Sequence, residues 1–312
     1  MDFKLDDEQD LIVQTVRRFA ERELRGWAAE ADREAKPPDR LRVAGAELGF
    51  FDAPDETFSH QTRALRGFEL GRGCAALAAI LEAGVEAQLA AKLDGATIAY
   101  GATFDGDRVS GTITAPALAV AKHVLVVGER VGVVELGERT PIAPSGWRAA
   151  QWATAKLDGT RAQLLDIDPA EVRAWANVSL AARATGVAAA AMEYAKQYAT
   201  ERIQFGQPIG AFESIIRLRD DAETLTAAAR LASIHAAWAL DVKAPDAFDL
   251  ASRARVLAGD AVTRATIDAV QIFGGYGFVN DYPVEKLMRD ARAFEALGGD
   301  QRAARIAAQK GR

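Results

Sequence analysis

The spacing of apolar residues changes twice along the chain, and the changes divide it into three stretches. From the N-terminus, Leu11, Val13, Val16, Phe19 and Leu24 recur at roughly helical intervals behind an acidic start, Leu5-Asp6-Asp7-Glu8-Gln9, that suits the positive end of a helix. Pro37-Pro38 interrupts, and a second helix follows with Leu41, Val43, Leu48 and Phe50-Phe51 as its apolar anchors. The Ala- and Leu-rich run from Phe58 to Leu93 carries Gly67, Gly71, Gly73 and Gly84, which predicts close helix packing or a break near Gly71–Gly73. Past Asp94-Gly95 the pattern is that of short strands. Phe104-Asp105-Gly106-Asp107 is a hairpin signal, Val124–Val127 and Val131–Val134 are β-branched runs, and Ala155–Asp158 and Gln163–Asp166 complete the set. From Pro169 the period is helical again, with helices expected over 178–200, 212–240, 250–273 and 282–292. The fold class expected is mainly α with a small central antiparallel β domain. Its parts are an N-terminal helical domain over 1–95, a β domain over 96–168 and a C-terminal four-helix bundle over 169–312.

Composition narrows the function. With 312 residues and 49% hydrophobic content the chain can bury a sizeable core. A net charge of −6 argues against general nucleic-acid binding. The single cysteine, Cys74, permits no intrachain disulfide and suggests a reducing compartment; with no apolar core in MDFKLDDEQD to mark a signal peptide, a cytoplasmic protein is expected. Three histidines, widely spaced, make a metal site improbable. His60, His123 and His235 have no carboxylate in motif spacing, and Trp147, Trp152, Trp175 and Trp238 are expected to pack.

The most informative stretch is 196–215. A helical run ends in Glu201-Arg202-Ile203-Gln204-Phe205-Gly206, the chain turns through Gln207-Pro208-Ile209-Gly210, and a new helix starts near Phe212. A guanidinium fork there fits phosphate oxygens, though an ordinary helix-end ion pair would account for it too. Two further segments accompany it: Val270-Gln271-Ile272-Phe273-Gly274-Gly275-Tyr276-Gly277-Phe278, and Tyr282-Pro283-Val284-Glu285-Lys286-Leu287-Met288-Arg289-Asp290-Ala291-Arg292. Together, and at this spacing, the three segments resemble the acyl-CoA dehydrogenase family. The likeness is strong over 178–292, moderate over 1–60 and 98–127, and weak between 130 and 175.

The resemblance implies FAD bound between chains. Arg202 and Gln204 match positions that reach the FAD pyrophosphate of a neighbouring subunit, Phe205 matches a residue beside the adenosine, and Gln271, Gly274 and Gly275 match the loop that receives the adenosine half. The physics agrees, since Arg offsets pyrophosphate charge and glycine lets a backbone approach closely.

The same resemblance exposes losses. The family's usual base, a Glu, falls at Gly298, and the Thr after it falls at Asp300. The alternative base position, on the first bundle helix, is Ala176, with Asn177 beside it. No catalytic residue is therefore assigned, although Glu295 could serve as a displaced base. The segments that line the flavin ring and the acyl-CoA in typical members are absent or altered, with Thr112-Ile113-Thr114-Ala115-Pro116 at the second of them, so that pocket is expected to be dismantled. This split resembles the base-less subunit of heteromeric α2β2 acyl-CoA dehydrogenases of actinobacterial steroid breakdown, in which a second, similar subunit supplies the Glu and most of the acyl-CoA site. Two other readings stand beside it: a self-sufficient homo-oligomeric enzyme, and a non-enzymatic scaffold derived from the fold.

Overall fold

The computed structural model describes residues 4–52, 54–55, 57, 59–297 and 301–310. The N-terminal helices are α1 (Asp7–Phe19), α2 (Arg25–Glu34), α3 (Leu41–Glu47), α4 (His60–Gly73), α5 (Ala75–Leu81) and α6 (Val85–Ala91), with a π-helical turn, Ala20–Leu24, joining the first two. Asp6 caps α1 reciprocally with Gln9, which settles both orphan donors at that end. Both expectations for the glycines of α4 are realised. The helix stops at Cys74, whose backbone is extended; Gly67 and Gly71 sit against α7 (Pro169–Glu201) and Gly73 against Ala20 and Leu24. A methyl group at Gly71 would lie 2.2 Å from the Arg183 carbonyl oxygen, and one at Gly186 would lie 2.1 Å from that of Phe68. The crossing of α4 and α7 is therefore as close as backbone allows.

The strands are β1 (Ala96–Ala99), β2 (Ala102–Asp105), β3 (Arg108–Ala115), β4 (His123–Val127), β5 (Val131–Glu135), β6 (Thr140–Pro141), β7 (Ala153–Arg161) and β8 (Gln163–Leu165). They form two sheets, ordered β1-β4-β5-β8 and β2-β3-β7-β6. The pairing is antiparallel except between β1 and β4, which run parallel, a departure from the all-antiparallel expectation. The hairpin lies one residue later than predicted: Asp105 pairs with Arg108, leaving Gly106-Asp107 as the turn, with Gly106 at φ +60°. An apolar core of β-branched and Ala side chains, including Val109, Ile113, Val124 and Val126, fills the space between the sheets.

The C-terminal helices are longer than their pattern suggests. Helix α7 begins at Pro169, with Asp168 as its N-cap, so Trp175 and Ala176 belong to it. A two-residue ribbon, β9 (Ile203–Gln204) and β10 (Gln207–Pro208), leads to α8 (Glu213–Asp241), α9 (Ala247–Phe273) and α10 (Val284–Ala296). A fifth helix, α11 (Gln301–Lys310), packs on α9, where the Gln301 amide donates to the Val256 carbonyl. Small residues carry the packing, and Ala is the commonest residue at the buried positions of α7 and α9. Among the described residues no helix is long and apolar enough to cross a membrane.

Candidate functional site

Two cavities hold the chemistry-bearing residues. The first is an open cleft of about 680 Å³ between the start of α8 and the end of α9. Five of the six residues matched to cofactor binding line it: Arg202, Gln204, Phe205, Gly274 and Gly275. Gln271 does not line it; its side chain is exposed on the last turn of α9, and its carbonyl accepts from the Gly274 N–H.

The ribbon β9–β10 explains how the motif presents itself. Phe205 and Gly206 are its two turn residues, both at positive φ (+50° and +82°), the arrangement whose twist fits a tight hairpin. A Phe in that conformation is strained, and its ring stands 93% exposed, touching only Phe212 edge-on at 6.2 Å. Arg202, also exposed, has no carboxylate within ion-pair distance among the described residues; its guanidinium lies 5.6 Å from the Tyr276 ring centroid. The floor is an aromatic stack, with Tyr198 on Phe273 at 4.1 Å and Tyr282 edge-on to both. Gly274 turns the chain at φ +60°, whereas Gly275 has nothing within 4 Å of the place a side chain would occupy. The chain's own packing does not demand glycine there. An unpaired cation, a side-chain amide, an exposed ring and an open backbone fit a phosphate-linked adenosine.

The second cavity is a chamber of about 690 Å³ enclosed by the N-terminal helices, the strands and α7. A cavity therefore lies beside the altered Thr112–Pro116 segment. Strand alternation turns Thr112 and Thr114 into it while Ile113 enters the sheet core. Trp147 and Trp152 line it from the β side. From α7 come Arg173, Ala176, Leu180 and Arg183, spaced three, four and three residues apart and so on one helix face. Ala296 and Leu297 complete the wall; Gly298 and Asp300 lie outside the described residues.

Buried charge surrounds this chamber. Glu82 accepts from Arg63 Nε at 2.8 Å and from Arg66 Nη2 at 2.7 Å, and Glu86 accepts from Arg63 Nη2 at 2.8 Å. Burial pushes the Glu82 carboxyl up, but Arg66 and Arg63 beside it win and hold it at about 2. His60, stacked on Trp175, is pushed down to about 3 by burial and by Arg63. Burial likewise lowers Arg183, with Glu82 opposing at longer range. Glu129 also lines the chamber and accepts from the Phe104 N–H, whereas Glu295 pairs with Arg292 at 2.6 Å outside the lining. Sequence reasoning missed the Arg63, Glu82, Glu86 and Arg183 group. The available signal was a lone Arg inside the Ala-rich run of α7, a costly placement unless something pairs with it. No group of metal-ligating side chains occurs among the described residues.

Strands between two helical layers, with a dinucleotide-shaped cleft at a helix end, define a flavoenzyme-like architecture. The description "Acyl-CoA dehydrogenase, C-terminal domain" matches residues 174–311, and "Acyl-CoA dehydrogenase, N-terminal domain" matches 6–93. The chain belongs to the acyl-CoA dehydrogenase family. An acyl-CoA dehydrogenase of Bacillus subtilis is 42% identical over 133 residues, which is 43% of this chain but 35% of that relative. A short-chain-specific acyl-CoA dehydrogenase of Clostridium acetobutylicum is 28% identical over 371 aligned residues, 96% of each chain. That stretch exceeds the 312 residues here, so the relative carries segments this chain lacks. Among solved structures, butyryl-CoA dehydrogenase from Megasphaera elsdenii superposes with a TM-score of 0.82 at 23% identity, covering 100% of this chain and 99% of that one. An FAD complex of PigA superposes at 0.84 and 18% identity, with the same coverage.

Proposed function

We propose that this chain is the base-less subunit of a heteromeric FAD-dependent acyl-CoA dehydrogenase. FAD, when bound, accepts the hydride that leaves the acyl β-carbon as a base takes the α-proton. The cleft of this chain holds the cofactor's far end: Arg202 and Gln204 at the pyrophosphate, Phe205, Gly274 and Gly275 at the adenosine, and Gln271 at its edge. A second acyl-CoA dehydrogenase-like subunit supplies the Glu and most of the acyl-CoA contacts in an α2β2 assembly. A steroid-derived CoA thioester is the proposed substrate and the cytoplasm the proposed compartment.

The observation that carries this reading is the chamber wall. Ala176 puts a methyl group at the family's alternative base position, Glu82 and Glu86 are locked onto arginines, and Glu129, on the β side of the wall, accepts from the Phe104 N–H. A general base must reach the proton it removes, and a carboxylate held near pKa 2 by two guanidiniums is a poor acceptor. Purified alone, the chain is expected to carry little flavin and to leave acyl-CoA unchanged; both properties should appear when its partner is co-expressed. Full activity of the lone chain overturns the proposal. The open chamber favours one second reading, a self-sufficient enzyme in which each chain keeps its own acyl site. That enzyme would be a yellow homo-oligomer, and it would lose activity in Glu295→Gln if that residue is its base. A complex with no flavin absorbance at all would instead mark a non-enzymatic scaffold.

A further inference from the structure

The chamber's unmet polar groups are of one kind. Arg183 is only 8% exposed, yet its guanidinium meets the Ser179 carbonyl at 3.3 Å and the Trp147 ring at 5.7 Å. Among the described residues no carboxylate stands within ion-pair distance of it, and Glu82 and Glu86 are already paired with Arg63 and Arg66. With Arg173 and Glu129, which also line the space, four guanidiniums thus face three carboxylates. Tyr100 Oη and Trp147 Nε1, on residues that line the same space, are buried and have no hydrogen-bond partner among the described residues. These unmet groups can all donate hydrogen bonds. An all-hydrocarbon occupant would leave each of them unsatisfied, which costs affinity.

We propose that the chamber recognises an acyl group bearing a second carboxylate at its far end, and that Arg183 is the residue that receives it. The inference rests on the reading above that acyl-CoA thioesters are this protein's ligands, and it concerns binding rather than turnover. The guanidinium is preorganised for the task. Gly71 packs against the Arg183 carbonyl so tightly that this turn of α7 cannot shift, and the face of Trp147 steadies the side chain. Ala176, seven residues earlier on the same face, marks the other end of the chamber wall about 10 Å away along the helix. A dicarboxylic acyl chain of medium length spans that distance. A carboxylate at Arg183 balances the surplus guanidinium and brings acceptors into a space whose own unmet groups are donors.

The test is calorimetric titration of the full chain with suberoyl-CoA, octanoyl-CoA and free suberate. Suberoyl-CoA should bind at least about tenfold more tightly than octanoyl-CoA, as expected for a buried charge-assisted pair. Arg183→Gln should abolish that preference, weakening suberoyl-CoA about tenfold while leaving octanoyl-CoA within about twofold, and Arg183→Lys should restore part of it. Melting curves of both variants identify any that fail to fold, and the wild-type comparison of the two thioesters needs neither. Equal affinity for the two thioesters, tighter binding of octanoyl-CoA, or a preference that survives in Arg183→Gln overturns the assignment. Binding of suberate, lost in Arg183→Gln, with no binding of either thioester, keeps Arg183 as a carboxylate receptor and overturns the acyl-CoA reading instead. Absence of all binding overturns the inference.

Discussion

The cleft and the chamber enclose nearly the same volume, about 680 and 690 Å³, but they are built in opposite ways. The cleft comes from two short segments at helix ends, and its key side chains, Arg202, Gln204 and Phe205, are exposed and make few contacts within the chain. The chamber draws on positions from Ala79 to Leu297, and beside it Arg63, Glu82 and Glu86 are buried and paired with one another. Each arrangement has its own vulnerability. Residues of the cleft can change with little effect on folding, so alterations there should register in cofactor affinity. Residues around the chamber hold three layers together, so alterations there should register first in stability.

The largest effect should come from the close crossing beneath the chamber. Gly186→Val places new atoms on the Phe68 carbonyl and should cost about 3 kcal/mol or more in a chemical denaturation experiment; a smaller loss would mean that α4 and α7 can separate without penalty. In the cleft, Arg202→Ala should raise the flavin dissociation constant of the assembled complex about 10- to 100-fold while leaving the melting temperature unchanged, as measured by fluorescence titration. Acid should separate the two regions as well. His60 is held near 3 in the fold against an ordinary value near 6.5, so below 6.5 the unfolded chain takes the proton first. Stability should therefore fall by about 2 kcal/mol between pH 6.5 and 5. Glu82, held down at about 2, adds to the loss below about pH 4.5. His60→Phe should flatten the upper part of that profile. The smallest effect belongs to Glu295→Gln, a half-exposed partner of Arg292: under about 0.5 kcal/mol in stability and no change in the activity of the complex. Loss of activity there would move the proton chemistry back onto this chain.

The contrast also explains what could be read from the sequence. The cleft was legible because its chemistry is contiguous: Arg202 to Gly206 forms one turn and Phe273 to Gly275 another, and local order survives folding. The alternation from helix to strand to helix was legible for the same reason. The chamber was not, since Arg63, Glu82 and Arg183 meet only after distant segments pack, and each alone reads as an ordinary charge on a helix. The parallel pairing of β1 with β4 was hidden as well, because strand direction depends on the path between strands rather than on residue pattern. The family's usual base position is glycine in the sequence itself, but it falls at residue 298, outside the described residues.

The central claim, that this chain grips a cofactor whose chemistry belongs to another subunit, is tested most directly by native mass spectrometry of the flavin-containing assembly isolated from its own cells. The account predicts two copies of this chain with two copies of a second acyl-CoA dehydrogenase-like chain and FAD that acyl-CoA can reduce. An assembly of this chain alone, carrying one FAD per copy and oxidising acyl-CoA, contradicts it.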